Sequence, residues 1–218
     1  MVRVICLIIG YCFGLIQTSY IYGRINGIDI RQYGSGNAGT TNALRTLGVK
    51  AGLITLLGDC IKCILAVVVV RLIFGGTHED MISLLALYAA AGTILGHNFP
   101  FYLGFHGGKG IAATAGLIIS LGWQLTLIEL VVFLSVFFIT HYVSLGSLLV
   151  YVVFVIAMFV EGQMGYLNLS QGYLTELYIL AILLAVLAFW QHRENIKKLL
   201  HGTERKTYLS KKSKVEKE

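Results

Sequence analysis

The sequence predicts an all-α polytopic integral membrane protein: a seven-helix transmembrane bundle with its N-terminus outside and its C-terminus in the cytoplasm. Three observations carry this prediction. Of 218 residues, 56% are hydrophobic and only 13% charged, with a mean hydropathy of +0.77, a balance that a soluble domain does not tolerate and a bilayer demands. The apolar stretches are continuous rather than alternating and the chain holds a single proline, which fits membrane helices and argues against a strand-and-turn barrel. Between the apolar stretches lie short polar segments whose positive charge sorts them to one side.

Val4 to Tyr22 is long enough to cross a hydrocarbon core, which takes about 20 residues. Only Arg3 precedes it and no small-residue cleavage pattern ends it, so it reads as a retained span rather than a signal peptide. From Arg24 to Lys50 the chain carries Arg24, Arg31, Arg45 and Lys50 against one acid, Asp29, and this excess marks the cytoplasmic side. Ala51 to Phe74 is the second span. It holds Asp59 and Lys62, three apart and able to pair, and a clasp between helices is expected ahead of an ion pathway. Gly75 to Asp80 is short, acidic and external, and Met81 to Leu103 returns.

Ile111 to Thr140 is read as two crossings broken at Gly122-Trp123-Gln124, because one crossing would leave the basic C-terminal residues outside. Each half is short for a core of about 30 Å, so shallow or tilted helices are expected, with the preceding loop partly sunk below the surface. Glu129 is expected near the outer end, hydrated. Tyr142 to Val160 crosses outward, 161–172 is external, and Tyr173 to Trp190 returns. Helix continues through Gln191 to Lys198 and stops at Gly202, leaving Lys211 to Glu218 as a basic tail drawn to anionic lipid. The organisation is one bundle, residues 1–200, and a basic cytoplasmic tail, 201–218. The net charge of +6 is concentrated in the C-terminal stretch from Arg193 onward, and nucleic-acid binding is not required to explain it.

Two polar segments carry the chemistry. Gly107, Gly108 and Gly110 flank Lys109, and glycines with positive φ let successive N–H groups turn toward one anion while the lysine adds a full charge. The helix starting at Ile111 would aim its positive end at the same point. The alternative is a tight turn with a snorkelling lysine. Upstream, Gly34-Ser35-Gly36-Asn37-Ala38-Gly39-Thr40-Thr41-Asn42 ends in Arg45, bringing hydroxyls, amides and a planar guanidinium fork suited to phosphate or carboxylate. It contains no Walker pattern, and as a polar linker it would simply cap the next helix. His192 and Asn195, three apart, share a helical face. Cys6, Cys12 and the C-x-x-C of Cys60 and Cys63 lack a second pair or a nearby histidine and read as apolar filler, so no metal or other cofactor is expected. No internal repeat of transporter type is visible, and the glycine-rich segments fall on one side of the membrane rather than at matched midplane breaks.

Three ordered segments resemble the cytoplasmic motifs of the bacterial acyl-phosphate:glycerol-3-phosphate acyltransferase (PlsY) family. They are Gly34-Ser35-Gly36-Asn37-x-Gly39-x-x-Asn42-x-x-Arg45, then Gly96-His97-x-Phe99-Pro100 with Phe105-x-Gly107-Gly108-Lys109-Gly110, and His192-x-x-Asn195-Ile196-x-x-Leu199-x-x-Gly202-x-Glu204. The resemblance spans nearly the whole chain, with His106 where the family usually has lysine and Lys198 where it usually has arginine. It implies transfer of a fatty acyl group from acyl phosphate to the 1-hydroxyl of sn-glycerol 3-phosphate, giving lysophosphatidic acid and phosphate, at the cytoplasmic face of a bacterial plasma membrane. It implies two substrates, surrounding lipid, and no obligatory protein partner. The residues expected to carry catalysis are Ser35, Arg45, Lys109, His192 and Asn195. Those expected to bind substrate are Gly34, Gly36, Asn37, Gly39, Thr41, Asn42, His97, Gly107, Gly108 and Gly110. Charge stabilisation by Lys109 and Arg45 is expected to dominate, a preorganised donor being worth about 10²–10³ in rate. Either His192 or the departing phosphate takes the hydroxyl proton, and an acyl-Ser35 intermediate is the less favoured route. The alternative function is a phosphate or phospho-ester transporter.

Overall fold

The structure, a computed structural model, describes residues 1–167 and 169–208. The α-helices it describes are α1 (Val2–Gly14), α2 (Thr18–Ile25), α3 (Thr40–Leu47), α4 (Val49–Phe74), α5 (Ile82–Asn98), α6 (Ile111–Leu121), α7 (Trp123–Thr140), α8 (Val143–Gln163), α9 (Leu174–Gln191) and α10 (Arg193–Leu200). Six segments are long and apolar enough to cross a membrane: 2–25, 49–74, 79–103, 123–140, 143–163 and 171–191. The break expected at Gly122 is present, since α6 stops at Leu121 and α7 starts at Trp123. With 11 residues, α6 extends only about 16 Å, roughly half a crossing. Unpaired apolar side chains such as Leu127, Ile128, Val131, Ile182, Leu183 and Val186 form the outer surface, where a lipid-facing band belongs.

Helix α5 is the centre of the bundle. Almost every residue from Leu84 to Asn98 is buried, and the helix packs on α1, α4, α6 and α9. Its contact with α1 is backbone on backbone. Gly10 and Gly14 on α1 face Gly92 and Gly96 on α5, and a methyl group on any of the four would run into the carbonyl oxygen of Ala89, Thr93, Leu7 or Tyr11 respectively. Two small-x-x-x-small patterns therefore interlock, the packing that lets helices approach closely where no hydrophobic force draws them together in lipid. Backbone cannot yield as a side-chain tip can. Gly92→Ala is accordingly expected to lower stability by about 1–3 kcal/mol, read as a fall in the thermal unfolding midpoint of the detergent-solubilised protein.

The first span departs from its continuous hydropathy. It breaks into α1 and α2 across residues 15–17, a break tolerable at membrane depth only if the freed carbonyls find donors. Buried Gln17 supplies one, its Nε2 lying 3.2 Å from Gly14 O, 3.3 Å from Gly96 O and 3.0 Å from His97 O. Lys62 supplies the other, with Nζ 3.3 Å from Gly14 O and 2.6 Å from Ile16 O. The expected Asp59–Lys62 pair forms at 2.9 Å, and Thr18 Oγ1 donates to Asp59 at 3.0 Å.

Three further features differ from the sequence reading. The polar segment before the second span is not only linker, for α3 occupies 40–47 and turns into α4 at Gly48, whose φ is 94°. Glu129 is not at an exposed outer end. It is buried, and neither carboxyl oxygen has a partner among the described residues. It shares an i,i+4 stripe with Leu125 and Phe137, the inward side of α7 against α6 and α8; distance from the helix end did not reveal that face. Finally, residues 201–208 of the expected tail are docked on the bundle, where Thr207 N–H donates to His141 O. Lys211 to Glu218 lie outside the described residues.

Candidate active site

The first motif is held by its own polar side chains. Asp29 accepts from Arg31 Nη2 at 2.8 Å and Arg24 Nη2 at 3.2 Å, and Arg31 Nη1 reaches Leu103 O at 3.2 Å, tying this loop to the second motif. The hydrogen bond from Arg31, aided by both positive charges, holds the Asp29 carboxyl below the usual carboxylate range. Asn42 was expected to present its amide to substrate. Instead the side chain is buried and spent on the loop: Nδ2 serves the carbonyls of Ile30, Tyr33 and Asn37, each at 3.0 Å, and Oδ1 accepts from Ser35 N–H at 3.0 Å. Gly34 must be glycine here, because its φ is +62° and a Cβ would fall on Asn42 Oδ1. Ser35, exposed at the loop's crest, receives Asn37 Nδ2 on its hydroxyl at 3.3 Å.

The second motif also differs from the expected cradle. Gly107 and Gly108 do not have positive φ; of the three glycines around Lys109 only Gly110 does, at 84°. Their N–H groups are not free to hold an anion, because Gly107 donates to Asn98 O at 3.2 Å and Gly108 to His97 O at 3.1 Å. These bonds satisfy the last carbonyls of α5, which a helix end leaves open. The glycines are needed for close approach. A Cβ on Gly107 would strike His97 O, and one on Gly108 would strike His97 Nε2. What remains for an anion is Lys109 itself and the N-termini of α3 and α6, whose first residues line one cavity.

The third motif completes the enclosure. His192 sits between α9 and α10, and its Nδ1 lies 2.8 Å from Ala188 O. Because a carbonyl only accepts, Nδ1 carries the proton and Nε2 keeps a lone pair. Lys109 Nζ donates to Asn195 Oδ1. Asn195 Nδ2 donates to Glu204 Oε1 at 2.8 Å, and Ser144 Oγ donates to the same oxygen at 2.7 Å. Arg45 is held by the segment after α10: Thr207 Oγ1 accepts from Nη2 at 2.5 Å and Nε at 3.2 Å, and Arg205 O accepts from Nη2 at 3.0 Å.

The electrostatics follow from burial among cations. Burial lowers the Lys109 pKa to about 8, with Lys198, Arg45 and Arg193 adding to the shift and Glu204 opposing it. Burial, reinforced by Lys109, lowers His192 to about 4, so its imidazole is neutral at physiological pH. Burial and then Arg205 lower Arg45 from its ordinary value.

Two cavities meet at Ser35, Asn37, Lys109 and Asn195. The first, of about 160 Å³, also takes in Gly39, Thr41, Asn42, Arg45, His97, Gly110 and His192, then continues past Leu56, Ile111, Phe133 and Val143. The second, of about 560 Å³, is lined by Gly34, Gly36, Gly107 and Gly108 together with His106, Arg193 and Lys198. Every residue expected to carry catalysis or to bind substrate thus lines one cavity or both.

The family model described as Glycerol-3-phosphate acyltransferase matches residues 4–202. The chain belongs to the glycerol-3-phosphate acyltransferase family. It is 41% identical over 207 residues to the glycerol-3-phosphate acyltransferase of Thermoanaerobacter sp. (strain X514), covering 94% of this chain and 96% of that one. It is 42% identical over 205 residues to glycerol-3-phosphate acyltransferase 2 of Thermotoga maritima, with the same coverage of 94% and 96%. Among solved structures it is similar to the crystal structure of PlsY (YgiH), an integral membrane glycerol 3-phosphate acyltransferase, in its glycerol 3-phosphate form, with a TM-score of 0.79 and 30% identity over 94% of this chain and 96% of that one. The lysophosphatidic acid form of the same protein gives 0.77 and 29%, over 95% and 96%. The protein is a membrane-embedded acyltransferase of bacterial phospholipid synthesis.

Four residues that hold or line this candidate site were not singled out from sequence as site residues: Asp29, Ser144, Glu204 and Thr207. Glu204 closes the third motif and was legible there, but Ser144 and Thr207 carry no sequence signal. Thr207→Val removes the acceptor that two Arg45 nitrogens share. The acyltransferase is expected to lose activity about 5- to 30-fold, the scale of one or two kcal/mol for a hydrogen bond to a charged group, measured as steady-state turnover beside the parent.

Proposed function

We propose that the protein transfers a fatty acyl group from acyl phosphate to the 1-hydroxyl of sn-glycerol 3-phosphate, releasing lysophosphatidic acid and inorganic phosphate. The observation that carries the reading is that Arg45, Lys109, His192 and Asn195, from three separate segments, line one cavity whose far side is apolar. A donor with a charged head and an alkyl tail fits such a cavity, entering from lipid past Leu56 and Phe133. The second cavity, basic and lined by Arg193 and Lys198, suits the water-soluble phosphate ester. The two would meet at Lys109 and Ser35.

In this mechanism the hydroxyl oxygen attacks the acyl carbonyl carbon, the bond from that carbon to the bridging phosphate oxygen breaks, and the hydroxyl proton leaves with the phosphate. Lys109 and Arg45 stabilise charge on the carbonyl and phosphate oxygens as it develops. His192 offers its bare Nε2 to the hydroxyl and orients it. With a pKa of about 4, the imidazole is a weaker resting place for the proton than the departing inorganic phosphate, whose dianion takes one up near neutral pH. Asn195, fixed by Glu204, holds Lys109 in place. Ser35 positions substrate, since Asn37 and not a histidine serves its hydroxyl, which leaves it without the base that a covalent route needs. The same reading takes α6 as the core of a seventh, shallow crossing and puts the N-terminus outside, the C-terminus inside and the site on the cytoplasmic face.

The test is purified protein in lipid, given palmitoyl phosphate or palmitoyl-CoA with radiolabelled glycerol 3-phosphate. Lysophosphatidate and phosphate formed from the acyl phosphate alone support the reading. Turnover with the thioester alone overturns the donor, and uptake of unconverted label into sealed vesicles favours a transporter.

A further inference from the structure

The buried pair in α4 does more than clasp helices. Lys62 Nζ lies 2.9 Å from His97 Nδ1, 2.9 Å from Asp59 Oδ1, 2.6 Å from Ile16 O and 3.3 Å from Gly14 O. Beside the Asp59 carboxylate the amine is an ammonium, which has no lone pair to accept with, so His97 Nδ1 at 2.9 Å faces it as an acceptor, three N–H groups being shared among four acceptors. We propose that Lys62, itself held by Asp59, is a positioning residue that fixes the neutral His97 ring with its proton on Nε2 and aims that N–H at an oxygen of the phosphate-bearing substrate. The proposal rests on the acyl-transfer reading above for what the N–H meets.

Three observations place Nε2 at the site. His97 lines the first cavity. Its Nε2 lies so close to Gly108 that a Cβ there would fall on it, and Gly39 of the first motif approaches Gly108 at the same point, where a Cβ on Gly39 would be 3.9 Å from the Gly108 Cα. No described residue bonds Nε2, while Nδ1 is taken by Lys62. A donor preset by a partner too deep to touch substrate itself is how a site keeps its orientation before substrate arrives. The carbonyls of residues 14 and 16 give Lys62 a second, structural role, so loss of stability alone cannot decide the matter.

The tautomer can. In protein labelled with ¹⁵N-histidine and reconstituted in lipid, protonated and bare ring nitrogens separate in solid-state NMR, and the signals missing from His97→Gln assign His97 among the chain's six histidines. The expected result is a protonated Nε2 and a bare Nδ1 in the parent. The expected result in Asp59→Asn/Lys62→Met, which removes both charges together, is a mixture of tautomers and a kcat lowered by about 10²-fold, the scale of one lost preorganised donor. A protonated Nδ1 in the parent overturns the assignment whether or not the paired variant folds. So does a folded variant that keeps the Nε2–H form, or one that turns over within two-fold of the parent. A parent inactive with acyl phosphate fails the donor reading instead, and the parent's tautomer still decides the Lys62 assignment.

Discussion

Lys109→Ala is expected to lower kcat for acyl transfer by about 10²–10³-fold, or about 2.7–4 kcal/mol of transition-state stabilisation, with the protein still folded. The ammonium is buried among other cations and anchored by Asn195, so it is aimed before substrate arrives and owes little to solvent. The same burial sets a pH dependence. Lys109 acts as a cation and its pKa is lowered to about 8, so the charge is present below that pH and lost above it. The profile of kcat/KM, which reports the free enzyme, should therefore fall on the alkaline side near pH 8. Bound phosphate favours the charged form, so the fall in kcat should lie at higher pH. Lys109→Arg keeps its charge throughout this range and should abolish the alkaline fall, even where its absolute rate is low. Steady-state profiles of parent and both variants between pH 6 and 10 test this; an unchanged limb in the arginine variant would assign the titration elsewhere.

Arg45→Ala should be as damaging, by about 10²–10³ in kcat, and Arg45→Lys should recover little of it. The guanidinium uses one edge to hold Thr207 and Arg205 while lining the cavity, which requires a planar fork with several fixed donors. An ammonium offers a point charge on a flexible stem and cannot serve both sides. Loss of Arg45 also leaves Thr207 and the Arg205 carbonyl without their donor. Amide hydrogen exchange at 204–208 should then quicken in the alanine variant, whereas the helices of the bundle keep their protection. Kinetics and exchange on one sample separate the two effects, and a variant that retains a tenth or more of parental turnover would remove Arg45 from the catalytic group.

How much of this was legible beforehand can be argued residue by residue. Hydropathy located the six long apolar spans within a few residues, since a bilayer leaves helix as the way to satisfy backbone groups. Glycine, proline and charge marked the polar segments, and the break at Gly122 followed from counting sides. Hydropathy could not show the break at residues 15–17, because the donors that make it tolerable, Gln17 and Lys62, act across the fold. It could not show the buried face of Glu129 either, which depends on where α7 meets α6 and α8. The second motif was misread for a related reason. Glycines free to adopt positive φ and glycines forced by close approach look alike in a sequence, and here Gly107 and Gly108 are of the second kind.

By itself the sequence determined the membrane class, the order of spans and polar segments, and the three motifs whose residues converge on one site. These depend on composition and on spacing along the chain, which burial in lipid and local backbone chemistry fix directly. Only the tertiary structure decided which groups remain available there. Asn42 and the Gly107 and Gly108 N–H groups are consumed within the protein, while Glu204, Ser144 and Thr207 are drawn in to hold Asn195 and Arg45. A hydrogen bond commits a polar atom to one partner, and the partners of these atoms lie as far as 162 residues away along the chain.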